Sequence, residues 1–506
     1  MKKIKNILTI HPFLFAIYPI LFLFSHNIDE MSISEIFVPS IISLGVVTLL
    51  LLPGLFLKNL NKAGIIVAFF ILMFFSYGHL YSSLQWRLGD LIVRHRYLLP
   101  TLWIIFISVL FLLIKTRRNL DKLTSFLNVI AISLIAISII NIGVYELGKN
   151  SRSQVSKSSK KGAINTKDLD NKSSTPDIYY IVLDSFVGEN TLKESYSYDN
   201  SEFINSLKDK GFFVASNSFS NYKYTHQSLS ATLNLKYINY LEGAGNPKDL
   251  SITYQMIMEN EVTEFLKSRG YKYIHYDSGW GATQKNRLAD KLVRGAKFSE
   301  FQATLLNTTM LRAISISLVG EKRRERILAT FSQIPLDSRV EGPKFVFAHI
   351  NSPHYPYIFG ANGEQLEEIG PPVSNDRLIT GEKYLSQLIF ISKKVEELVE
   401  EILSNSKEPP IIILQADHGK NFTGSDSEDI LNKEGYYKDG FSIFNALYLP
   451  SGGNDLLYDS ISPVNTFRVV FNHYFGKDYE LLKDRSFDSI FRPPYNFKDV
   501  TKSVNH

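Results

Sequence analysis

Five apolar runs free of Asp, Glu, Lys and Arg occupy residues 7–24, 36–57, 64–80, 98–114 and 123–144. Each is about 17 to 22 residues long, enough for a helix to cross a hydrocarbon layer of roughly 30 Å. Five such runs in succession exceed what the buried helices of one soluble core supply. A cleaved signal peptide would account for the first run alone, which follows Lys2, Lys3 and Lys5, and would leave the rest unexplained. Residues 1–145 therefore read as a transmembrane bundle of five α-helical spans.

Only 45% of the 506 residues are hydrophobic, so the remainder of the chain must be far more polar than the spans. Residues 146–175 are rich in Ser, Lys and Asn, the composition of a flexible tether. Residues 176–506 are long enough to build a globular domain of their own. Basic residues orient the whole. Lys2, Lys3 and Lys5 precede the first span, Lys58 and Lys62 follow the second, and Lys115, Arg117, Arg118 and Lys122 follow the fourth, which assigns all three clusters to the cytoplasmic side. The N-terminus is then cytoplasmic and the domain after the fifth span extracytoplasmic. One loop departs from the pattern: Arg87, Arg94, His95 and Arg96 fall on the outer side beside Trp86, either as interfacial anchors or as a collar for lipid headgroup phosphates.

Within the second domain the hydrophobic pattern alternates. Residues 177–184, 344–350, 411–415 and 444–449 are β-branched or aromatic runs of the kind that form strands covered on both faces, with further β-rich runs near Phe212 and Tyr271. Residues 201–211, 262–270 and 384–404 have helical amphipathicity. This alternation predicts an α/β domain with a mostly parallel central sheet, in which ligands bind beyond the carboxyl ends of the strands.

Those ends are polar. The first strand stops at Asp184, another runs into Asp417-His418-Gly419, and a third continues through His349 to His354. Two carboxylates and an imidazole form a hard oxygen and nitrogen donor set, suited to Zn, Mn or Mg. Taken singly, Asp184 can be a turn cap and His418 a satisfied core histidine; their shared placement at strand ends carries the reading. Thr225 opens a Ser/Thr-rich segment that passes into a helix, whose first amides favour an anion. By itself it is equally a cap.

Taken in order, Asp184, Thr225 and Asp417-His418-Gly419 resemble the metal and nucleophile signature of the alkaline phosphatase and sulfatase superfamily, and His349 and His354 resemble its histidine pair near the transferred group. With the spans ahead of it, the arrangement is similar to membrane-anchored sulfatase-like proteins such as lipoteichoic acid synthases and lipid A phosphoethanolamine transferases. Residues 462–468 resemble a C-terminal segment of such proteins. The resemblance implies that Asp184, Thr225, Asp417 and His418 hold one divalent cation, that Thr225 is the catalytic nucleophile, and that His349 and His354 serve the transferred group. It also implies a bacterial inner (plasma) membrane location and a phosphotransferase that moves a phospholipid headgroup, phosphoethanolamine or phosphoglycerol, to an envelope glycan or lipid through a phospho-threonine. A sulfatase-like hydrolase of phosphate or sulfate esters, or a catalytically inactive binding protein, are the alternatives.

Three departures qualify this. Thr225-His-Gln-Ser-Leu is not the Cys/Ser-x-Pro/Ala-Ser-Arg context that yields formylglycine, which argues against sulfate-ester hydrolysis. No histidine lies between His418 and Asn445, which argues against a second tightly held metal. Lys420, Lys433 and Lys438 stand there instead, as solvated loop lysines or as a substitute positive charge. The absence of cysteine removes disulfides, thiolate metal sites and thiol nucleophiles. A net charge of +5 spread over 55 basic and 50 acidic residues leaves no nucleic-acid footprint. Gly243-Ala-Gly245 reads as a turn, and residues 321–326 as a solvated helix face of mixed charge.

Overall fold

The computed structural model describes residues 8–28, 31–55, 59–88, 93–158, 175–243, 250–296, 298–366, 377–420, 436–490 and 494–504. The chain separates into two compact units, one of residues 1–150 with 298–319 and one of residues 151–297 with 320–506.

The first unit is built of α1 (His11–His26), α2 (Phe37–Leu51), α3 (Leu60–Leu88), α4 (His95–Lys115) and α5 (Asp121–Ser158). Among the described residues, four helical stretches are long and apolar enough to cross a membrane: Ile33–Gly54, Leu60–Gln85, His95–Lys115 and Asp121–Leu147. α1 is shorter, with 16 residues, and the start of the first expected span at Ile7 lies outside the described residues. α3 is the centre of the unit, with half of its apolar window buried, whereas none of α4's is. α1 lays Phe15, Ala16, Ile20 and Phe24 into a common cluster with Val67, Ala68 and Ile71 of α3. α5 continues past Glu146 to Ser158, through the first part of the segment read as a tether; residues 159–174 lie outside the described residues.

The second unit contains β1 (Ile178–Leu183), α6 (Glu189–Tyr196), α7 (Ser201–Asp209), β2 (Phe213–Val214), α8 (Thr225–Leu233), α9 (Ser251–Met258), α10 (Glu261–Ser268), β3 (Lys272–Tyr276), α11 (Gly281–Gln284) and β4 (Lys291–Val293). After α12 (Glu300–Thr308), which belongs to the first unit, and α13 (Arg312–Gln333), which begins in the first unit and continues in the second, come β5 (Lys344–Ile350), α14 (Arg377–Asn405), β6 (Ile411–Gln415) and β7 (Asn445–Tyr448). The strands form one sheet in the order β2-β7-β6-β1-β5-β3-β4. β6, β1, β5, β3 and β4 are mutually parallel and β7 is antiparallel to both neighbours, so the expectation of a mostly parallel sheet holds.

β1, β5 and β6 are buried at every residue, which is why they show no alternation of apolar and polar side chains. On one face, Tyr180, Phe345, Phe347 and Ile413 pack against Leu229 and Leu233 of α8 and against Phe467 and Phe471 of the helix Pro463–Phe475. The register aligns Leu183 with Ile350 and Val182 with Gln415, so the three central strands end side by side.

Candidate active site

Because those strands end together, three distant parts of the chain meet. Asp184 follows β1, His349 is the penultimate residue of β5, and Asp417 and His418 follow β6. The donor atoms of Asp184, Asp417 and His418 lie within 4.8 Å of one another, and all three side chains are buried. Nε2 of His418 stands 3.6 Å from Asp184 Oδ1 and 3.5 Å from Asp417 Oδ2. Thr225, at the first turn of α8, places Oγ1 3.1 Å from the same nitrogen.

His418 is set for metal binding by its other nitrogen. Nδ1 lies 2.6 Å from the Gly419 carbonyl oxygen, to which it can only donate, so Nε2 is the nitrogen turned towards the carboxylates and available to a cation. Gly419 is required there, since a Cβ would come 2.1 Å from the Asp439 carbonyl oxygen. Among the described residues, Oδ2 of Asp417 is buried with no hydrogen-bond partner, a costly arrangement for a carboxylate unless a cation lies against it. Burial would raise the Asp184 carboxyl, but the imidazoles of His354, His349 and His418 reverse this and hold it well below the usual carboxylate range. Burial would lower the His418 imidazole; Asp417 and Asp184 instead carry it above its ordinary value. Two carboxylates and an imidazole nitrogen converging on one point, with Asp417 Oδ2 left without a hydrogen bond among the described residues, fit a divalent cation, whose charge would take the place of the proton on Nε2.

His349 and His354 flank this cluster. His349 Nε2 is 3.5 Å from Asp184 Oδ2, while its Nδ1 is 2.8 Å from the hydroxyl of Thr283 and its ring meets Trp280 edge-on. The His354 backbone N–H donates to the Asp184 carbonyl oxygen. Nδ1 of His354 is 2.6 Å from the Tyr355 carbonyl oxygen, and the ring lies 6.2 Å from that of His418. All six residues singled out in the sequence are thus gathered at one sheet edge.

The structure adds groups that the sequence did not announce. Ser185 adopts a left-handed φ of 63°, uncommon and costly for a residue with a Cβ. In that conformation its N–H donates to Asp417 Oδ1 at 3.3 Å and its hydroxyl to Asp184 Oδ1 at 3.2 Å. Lys223 is buried beside Thr225, with Nζ 3.6 Å from Asp488 and 5.5 Å above the Tyr224 ring. Its only sequence signal was its distance of two residues from Thr225. The reading of Lys420 as a solvated lysine is corrected: it is buried, with Nζ 4.6 Å from the Tyr384 ring, 5.2 Å from Tyr196 and 5.9 Å from Tyr357. Lys438 pairs with Glu194, and Lys433 lies outside the described residues. The solvated-face reading of residues 321–326 also fails in part. Arg326 is buried, and Arg324 donates to the Gly363 carbonyl oxygen and stacks on Phe359.

The loop that carries Thr225 is held from behind. Asn221 donates to Ser462 Oγ and the Arg485 carbonyl oxygen and accepts from Val464 N–H, and Gln227 donates to Ser489 and Pro494. Of residues 462–468, Ser462 and Val464 at the start of the helix Pro463–Phe475 hold Asn221, while Arg468 donates to the Leu235 and Glu480 carbonyl oxygens.

Residues 176–465, more than half of the chain, match the sulfatase family. The chain belongs to the sulfatase family. The match spans every strand of the seven-stranded sheet and every residue of the cluster, and with the apolar helices it makes the protein a membrane-anchored member of the alkaline phosphatase and sulfatase superfamily. Among solved structures, the periplasmic domain of EcEptC from Escherichia coli in complex with Zn is similar at 13% identity and a TM-score of 0.44, over 65% of this chain and 94% of that one. The lipooligosaccharide phosphoethanolamine transferase EptA from Neisseria meningitidis is similar at 11% identity and a TM-score of 0.38, over 92% and 94%. BT1596, a 2-O GAG sulfatase, gives 12% and 0.38, over 62% and 77%. No curated protein matches the chain in sequence.

Proposed function

We propose that this sulfatase-family protein is a metal-dependent phosphotransferase that moves a phospholipid headgroup, phosphoethanolamine or phosphoglycerol, to an envelope glycan or lipid. The observation that carries the reading is the position of the Thr225 hydroxyl, 3.1 Å from His418 Nε2 at the edge of the Asp184, Asp417 and His418 cluster. A threonine hydroxyl is a weak nucleophile at neutral pH. One divalent cation, Zn, Mn or Mg, held by Asp184, Thr225, Asp417 and His418 would lower the pKa of that hydroxyl and neutralise phosphoryl charge.

Thr225 Oγ1 attacks the phosphorus of the headgroup phosphodiester; its new O–P bond replaces the P–O bond to diacylglycerol. The hydroxyl proton ends on the departing alkoxide, with His354 or His349 placed to pass it on. An acceptor hydroxyl then attacks phospho-Thr225 and restores the threonine. The α8 amides behind Thr225 favour the anionic group throughout. The apolar helices, read as five spans with the N-terminus cytoplasmic and the family domain extracytoplasmic, keep the chain in the bilayer that supplies such a donor.

The family match favours one second reading, a hydrolase of phosphate or sulfate esters using the same cluster with water as acceptor. Full-length protein in vesicles containing headgroup-labelled phospholipid separates the two. A labelled adduct on Thr225 that chases to a glycan or lipid supports transfer, and one that chases only to water supports hydrolysis. Turnover of the donor at an unchanged rate by Thr225→Ala would sink both.

A further inference from the structure

Residues 298–319 lie in the middle of the sequence of the family domain yet fold with the apolar helices. They are fastened along α3. Met310 N–H donates to the Phe74 carbonyl oxygen at 2.9 Å, and Arg312 donates to Ser82 Oγ at 3.0 Å and caps the Tyr81 ring at 5.1 Å. Gly78 permits the approach, because a Cβ there would come 2.0 Å from the Asn307 carbonyl oxygen. At the other end Ser299 opens α12 with a capping box and donates to Glu35. A segment tied so closely to α3 nevertheless stands off from α2, and a cavity of about 620 Å³ remains between them.

That volume lies within the range of about 300–1,000 Å³ typical of ligand sites. The inner wall is buried: Ile71 is 3% exposed, Phe75 8% and Leu305 8%. The outer rim is the stripe Val38, Ile42, Val46 and Leu50, one face of α2 at four-residue spacing, and each is more than a third exposed. Its lining side chains are apolar except Ser43, Gln302 and Thr309, and two of these three are engaged. Gln302 accepts from Ser299 N–H, and Thr309 Oγ1 donates to the Leu306 carbonyl oxygen and accepts from Leu311 N–H. Water would find almost nothing to bond.

The rim belongs to a helix apolar enough to cross a membrane, so the groove opens onto hydrocarbon. In that medium burial from water gives no drive, and occupancy depends on shape and dispersion. An unfilled groove would forfeit contacts along its whole lining. We infer that this groove is a binding site for one acyl chain of a membrane phospholipid, held by α2, α3 and residues 298–319. The inference rests on the membrane reading given above and assigns a lipid site separate from the Thr225 chemistry.

The test uses full-length protein in phosphatidylethanolamine–phosphatidylglycerol vesicles carrying a trace of phospholipid with a diazirine in one acyl chain. After photolysis, adducts are mapped by mass spectrometry. Labelling of Ile42, Phe74 and Leu305 should exceed by several-fold that of Ile104 and Ile107, which are exposed on α4 and do not line this cavity. A groove-filling Val46→Phe, Leu306→Phe variant should bring the groove down to the α4 level and leave α4 unchanged. Equal labelling of the two helices in the unaltered protein, which needs no variant to fold, would overturn the site. So would groove labelling that survives filling in a folded variant. Headgroup label on Thr225 is read in the same vesicles: groove adducts without Thr225 label sink the transfer reading alone, and Thr225 label without groove adducts sinks the lipid site alone.

Discussion

Helix α4 and strand β1 are both predominantly apolar and are handled in opposite ways. None of α4's apolar window is buried, with Ile104 66% and Ile107 57% exposed, whereas all six residues of β1 are buried. Both are dominated by apolar side chains, so the difference lies in the solvent each must exclude or can accept. β1 must exclude water and does so with helices on both faces; α4 needs only hydrocarbon beside it. The polar residues follow the same division. In the sheet unit they are buried and cross-linked around Asp184, Asp417 and His418, and this is where removing a few atoms should cost most.

The largest effect is expected at Thr225. Thr225→Ala should leave folding intact and reduce turnover by roughly 10⁴-fold or more, since it removes the attacking atom; Thr225→Ser, which retains that atom, should keep part of the activity. Headgroup release measured in vesicles reads both. Next is the cluster itself. Asp417→Ala with His418→Ala should weaken metal binding by more than the ~10–100-fold typical of outer-shell changes, and metal content equal to that of the unaltered protein would refute the ligand set.

Packing comes third, and it tests the two solvents directly. Phe467→Ala, in the core between the sheet and its helix, should destabilise the protein by about 3–5 kcal/mol, measurable by denaturant unfolding. Ile107→Asp would be close to neutral on a water-facing helix. On a helix immersed in lipid it should cost about 2.5–3.5 kcal/mol of membrane insertion, read as the fraction of chain resistant to alkaline extraction. If the two variants behave alike, the contrast between α4 and β1 is not one of solvent.

The smallest expected effect is a pH dependence. His275 is buried against Phe347, with ring nitrogens near Tyr273 Oη and the Thr283 carbonyl oxygen, and burial lowers its pKa to about 4, with His349 acting in the same direction. The unfolded chain therefore binds the extra proton first. Stability from this residue is complete above about 6.5 and is lost as pH falls towards 4, by up to about 3 kcal/mol. Unfolding of chelator-treated protein across that window should lose part of its pH slope in His275→Asn. An unchanged slope would remove His275 as its source.

Much of the site was legible because strand ends are local. An uninterrupted run such as residues 178–183 announces a strand covered on both faces, and Asp184 follows it directly; Asp417 and His418 follow Ile411–Gln415 in the same way. Thr225 gained meaning only in combination with them. Ser185 gave no signal, since a left-handed φ at a serine is imposed by its bonds to Asp184 and Asp417. Lys420 misled, because its burial depends on Tyr196 of α6, Tyr384 of α14 and Tyr357 of the loop after β5.

The sequence by itself determined the classes of surroundings: which segments are apolar enough for hydrocarbon, which form strands covered on both faces, and which polar residues stand at their ends. These follow from composition and periodicity within a few residues, set by side-chain chemistry and backbone geometry. Tertiary structure decided which of them meet. The order β6-β1-β5 brings residues 184, 349 and 417 to one edge, and no local pattern encodes that order, because strand pairing is settled by the packing of the whole sheet. The return of residues 298–319 to α3 was decided in the same way. It depends on the missing side chain of Gly78 facing the Asn307 backbone, a steric match between positions far apart in the chain that neither segment displays alone.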